Sequence, residues 1–96
     1  MARYRVIHWR EIPSMVEAFE GADVVAIPLS QRFQDLIDAV AMREGASESE
    51  AYLEGWGQSP DVECEGSAHE VAEQVAASLE AEFPDLVARR FLPPLP

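Results

Sequence analysis

The sequence predicts an α+β domain in which helices pack on one face of a small, mainly antiparallel sheet. Three observations carry that reading. Arg3–Trp9 alternates side chains in a run of β-branched and aromatic residues, Gly21 separates two further strand-like runs, and two later segments space their apolar residues as helices do. Strands and helices alternate too irregularly for a doubly wound parallel sheet.

In Arg3–Trp9, Tyr4, Val6 and His8 point to one face and Arg5, Ile7 and Trp9 to the other. Apolar groups on both faces make this a central strand. Ile12-Pro13 is expected to bend or end it, because Pro removes a donor and restricts its predecessor. Ser14–Phe19 and Asp23–Ile27 flank Glu20-Gly21-Ala22 and form a hairpin, since Gly supplies the positive φ of a tight turn. The rival reading of the first run is a short helix, with Ser14 as N-cap and Glu17 completing a capping box.

With Ser30 as N-cap, Phe33, Leu36, Ile37, Val40 and Ala41 form one apolar stripe, and Gly45 stands where a left-handed residue ends a helix. Ser47-Glu48-Ser49-Glu50 opens a short helix to about Glu54, with Tyr52 and Leu53 inward, Gly55 as its stop and Trp56-Gly57 as a loop anchor. Asp61–Glu65 alternates, placing Val62 and Cys64 inward and three carboxylates outward, as a protected edge strand does. Ser67 and Glu70 form another capping box. Ala68, Val71, Ala72, Val75, Leu79 and Phe83 line one face of the helix it opens, which Pro84 is expected to stop. One domain over 1–90 is expected, followed by an extended Pro-rich tail over 91–96.

Charge narrows the function classes. A net charge of −11, with no Lys or Arg between residues 44 and 85, excludes nucleic acid and anionic membrane surfaces as partners. A single cysteine, Cys64, and an Arg-interrupted amino terminus point to a reducing, cytoplasmic compartment. His8, Cys64 and His69 lack metal-ligand spacing, so neither metal nor other cofactor is expected. Nor does any catalytic constellation stand out, so an enzyme is not the first expectation. Cys64 on an alternating strand reads as inert packing.

The residues with binding character are Trp9, Arg10, Arg32, Tyr52 and Trp56, types that anchor interfaces. Two of the three aromatic rings are expected to complete the core instead. The first expectation is a non-enzymatic accessory domain acting through a protein partner, with a homodimer as one form of it. The alternative is a small-ligand domain in which Arg10 and Arg32 fork a carboxylate while Trp9 or Trp56 stacks a ring.

The opening Tyr4-Arg5-Val6-Ile7-His8-Trp9-Arg10-Glu11-Ile12-Pro13, the entry Pro28-Leu29 with Arg32-Phe33-Gln34, Asp38 and Ala41-Met42 in the helix, and Ala51-Tyr52-Leu53-Glu54-Gly55-Trp56 resemble a small bacterial domain family labelled "virulence factor". The resemblance spans most of the chain and brings no catalytic residue or cofactor with it. It implies an accessory role beside folate-linked methyl transfer and corrinoid proteins. Met15, Val16 and Phe19 depart from the more polar or basic family pattern, which speaks against an anion site on the hairpin.

Overall fold

A computed structural model describes residues 1–43, 45 and 50–90. Its elements run β1 (Ala2–Trp9), β2 (Ile12–Glu20), β3 (Asp23–Pro28), α1 (Gln31–Arg43), α2 (Glu50–Glu54), β4 (Trp56–Gln58), β5 (Val62–Cys64), α3 (Ala68–Ala81) and α4 (Phe83–Arg90). The fold is α+β with an antiparallel sheet ordered β3-β2-β1-β4, and β5 pairs with β1 beside β4. β1 is central, as its two apolar faces require. β4 pairs with Ile7–Trp9 and β5 with Ala2–Tyr4, and Ser59 bridges the gap between them. Its hydroxyl accepts from Val6 N at 2.8 Å and its own N–H donates to Val6 O at 2.9 Å.

Two apolar clusters hold the layers together. Val16 and Ala18 of β2, with Ala2, meet Ala68, Val71, Ala72 and Ala76 of α3. At the other end Trp9 and Ile12 meet Phe33, Leu36, Ile37, Val40 and Ala41 of α1 and Leu86 of α4. All five residues of the α1 stripe are buried, and Gly45 carries the expected left-handed φ of 71°. Ser67 and Glu70 form the complete capping box that opens α3. The hairpin at Gly21, φ 58°, pairs Glu20 with Asp23.

Several expectations are corrected. The chain reverses at Arg10-Glu11 rather than bending at Ile12-Pro13, and Arg10 itself takes the positive φ of 52°. Pro13 lies inside β2 beside a register shift between Ile7 and His8, where a missing donor is tolerated. The bulged Ser14 gives its carbonyl to Leu29 N at 2.9 Å. Trp56-Gly57 is strand, not loop. Leu53 is 70% exposed and Val62 43%: α2 is only five residues long and turns Tyr52 toward the core, while Val62 lies on the outermost strand. Pro84 does not end the helical region. It occupies the first turn of α4, where its missing N–H removes no helical bond. The Ser47-Glu48-Ser49 cap and the 91–96 tail lie outside the described residues.

Candidate ligand pocket

His8 is the side chain that the fold leaves in an unusual state. It stands opposite the β2 bulge, faces Pro13 on β2 and Gly57 on β4, and its Nδ1 is buried with no hydrogen-bond partner. The ring lies so close over Gly57 that a Cβ there would meet its Cε1 at 3.3 Å. A glycine opposite is therefore what leaves room for the imidazole.

Beside His8 is a cavity of about 310 Å³ whose apolar wall is Val6, Pro13, Phe33, Leu79 and Leu86. This is the lower end of the range for ligand pockets, roughly 300–1,000 Å³. Arg10, Glu11, Glu82 and Arg89 supply its charged border. β1, β2, α1, α3 and α4 all contribute, so the pocket is a product of the tertiary fold. Arg10 and Glu11 have further interactions of their own. Glu82 and Arg89, by contrast, make no side-chain hydrogen bond or ion pair among the described residues.

The five residues with binding character divide between two places. Trp9 is fully buried and donates its Nε1–H to Tyr52 O at 2.7 Å. The Trp9 and Tyr52 rings lie 5.8 Å apart and Tyr52 meets Trp56 edge-on at 6.1 Å. Arg10 stacks its guanidinium 4.7 Å over the Trp9 ring, and its N–H donates to Gly55 O at 2.8 Å. This aromatic cluster locks α2 and β4 onto the end of β1.

Arg32 stands elsewhere. Its Nη2 donates to Glu80 Oε1 at 3.0 Å and to Glu80 O at 2.8 Å, and its guanidinium lies 4.4 Å over Phe83. The same carboxylate receives the Ser30 N–H at 2.7 Å and the Ser30 hydroxyl at 2.8 Å. Burial pushes the Glu80 pKa upward, but the Ser30 hydrogen bonds and the neighbouring Arg32 outweigh it and hold it below the ordinary value. The carboxylate that Arg32 forks is thus one of its own chain, tying the start of α1 to the end of α3. Arg10 and Arg32 border different hollows.

Other chemistry finds little footing. Cys64 pairs with Ala2 at the far end of β1 from His8, about 20 Å away at the rise of a strand. Among the described residues no three His, Cys, Asp or Glu side chains are grouped to hold a metal ion, and no helix is long and apolar enough to cross a membrane.

Sequence reasoning missed His8, Glu82, Leu86 and Arg89 as a group. The signal available was Glu82-Phe83-Pro84-Asp85 followed by Leu86 and Val87: a carboxylate in cap position, Pro and Asp in a first turn, and apolar residues at i, i+3 and i+4. No curated protein and no solved structure matches the chain. The model of the Virulence factor family matches residues 7–90, a span that holds every residue of the pocket except Val6, and the chain belongs to that family.

Proposed function

We propose that this is a non-enzymatic accessory domain that binds a small ligand in the pocket beside His8. The cavity beside His8, with its apolar wall and its border of both charges, is the observation that carries this reading. The cavity size favours a small metabolite over a folate-sized one. Titrating an isotope-labelled sample with small polar metabolites and following backbone amide signals tests this. Saturable shifts confined to Val6, His8, Leu79 and Leu86 are expected. Shifts elsewhere, or none, would refute it.

A second reading, docking of a protein partner, is supported by the sheet face that turns away from α3. Ile7, Met15 and Phe19 are half-buried there without joining either apolar cluster, and Val24 on the edge strand β3 is 60% exposed. Arg5 covers part of it, 4.8 Å over Phe19 and paired with Glu17 at 2.8 Å. Crosslinking in cell extract tests this reading: a partner joined through β2 and β3 supports it, and a chain that crosslinks to nothing removes it.

A further inference from the structure

We infer that the pocket selects a zwitterion, an α-amino acid with an apolar side chain. This rests on the pocket reading above and deepens it. The border carries charges of both signs, Arg10 and Arg89 against Glu11 and Glu82. A simple carboxylate would meet Arg89 but also the field of Glu82 and of a chain whose net charge is −11. A simple amine would meet Glu82 but also two guanidinium groups.

A zwitterion avoids both penalties. It is neutral overall, so the protein's field does not oppose its entry, and each of its charged ends has an opposite charge to face. Glu82 immediately precedes α4, its carbonyl accepting from Leu86 N at 3.1 Å, and Arg89 follows seven residues on, two helical turns, which sets the two on the same side of that helix. Both also border the adjoining hollow formed with Asp85. They lie at the mouth, with their charges uncommitted to other side chains among the described residues. Arg89 is the natural partner for the ligand carboxylate and Glu82 for its ammonium. Val6, Pro13, Phe33, Leu79 and Leu86 then take an apolar side chain, with His8 in the same wall as the reporter of occupancy.

The chain contains two histidines, so imidazole NMR signals report the site by name. His69 is exposed on α3 and paired with Glu73 at 3.1 Å, and it serves as the internal control. The probes are L-leucine, N-acetyl-L-leucine, which lacks the ammonium, and L-leucinamide, which lacks the carboxylate. Leucine is expected to shift the His8 signals saturably and leave those of His69 in place. Each blocked form should bind roughly tenfold more weakly or worse, the loss of one charge-assisted contact. Glu82→Gln should weaken leucine by about the same factor and close the gap between leucine and its N-acetyl form. Arg89→Gln should close the gap between leucine and its amide.

N-Acetyl-leucine or leucinamide binding as tightly as leucine, with His8 still responding, would overturn the zwitterion while leaving the pocket in place. Silence at His8 from all three probes on the order of 10 mM, where even a Kd of about 1 mM would saturate, would overturn the inference outright. The pocket itself then falls only if the wider metabolite set also leaves its amides unmoved.

Discussion

Gly55→Ala is the sharpest test of how the end of β1 is built. A Cβ at residue 55 would lie 2.7 Å from Cε2 and 2.9 Å from Cδ1 of the Trp9 indole, and nearer still to Nε1. The indole has nowhere to retreat. It is fully buried, Arg10 stacks 4.7 Å over it, Tyr52 flanks it at 5.8 Å, and its N–H is committed to Tyr52 O at 2.7 Å. Overpacking a core costs about 1–3 kcal/mol, and displacing the indole from its acceptor adds roughly 1 kcal/mol. A total of about 2–4 kcal/mol lowers the melting temperature of a domain this size by roughly 10–25 °C. Thermal and urea melts followed by circular dichroism measure it, and the Trp9 indole N–H signal should move or vanish. A variant melting within about 2 °C of wild type would show that α2 does not press on Trp9 as described.

At Gly57 the outcome should differ, because the neighbour is an imidazole that can tilt toward a cavity: Gly57→Ala should cost less than about 1 kcal/mol in a urea melt yet shift the His8 ring signals. Gly21→Ala meets nothing within 4 Å, so only its φ of 58° is strained, and a loss of about 1 kcal/mol is expected in the same assay. Glu80→Gln should cost about 1 kcal/mol at pH 7 by weakening the bonds from Ser30 and Arg32. Because the folded pKa of Glu80 lies below its reference value of 4.5, that stability is present above 4.5 and lost as pH falls through the folded value. Melts of wild type and Glu80→Gln should therefore converge in acid, and a gap that persists there would refute the assignment. Moderate sodium chloride should raise the melting temperature by screening an excess of acidic charge, whereas a steady fall would show that ion pairs such as Arg5–Glu17 govern the surface.

How much of this was legible in the sequence depended on the length and punctuation of each element. α1 could be read to the residue because thirteen positions repeat one stripe, and α3 because Ser67 and Glu70 announce its start. The five-residue α2 is too short to define a stripe, so Leu53 reads as inward although it is exposed and Tyr52 faces the core. The β1–β2 turn escaped notice because Arg10, not Gly or Asn, takes the positive φ. Pro84 reads as a stop because interior Pro breaks helices, yet in a first turn it is compatible with one, and that misreading hid α4. With α4 hidden, Leu86 and Arg89 had no place, and the pocket could not be assembled. Arg32 reads in the sequence as a group that forks a ligand's carboxylate; in the fold its guanidinium is bonded to Glu80 of the same chain, a partner 48 residues away that the sequence does not pair with it.

Val6→Phe tests the central claim most directly, because Val6 borders the cavity from a strand position that accepts an aromatic ring and the larger side chain would fill the space a ligand needs. The quantity to measure is leucine affinity, by calorimetry, beside the melting temperature. A binding site at His8 requires that the plugged variant melt at or above the wild-type temperature and take up no leucine. Unchanged affinity in a folded Val6→Phe protein would place the ligand elsewhere and contradict the assignment of this pocket.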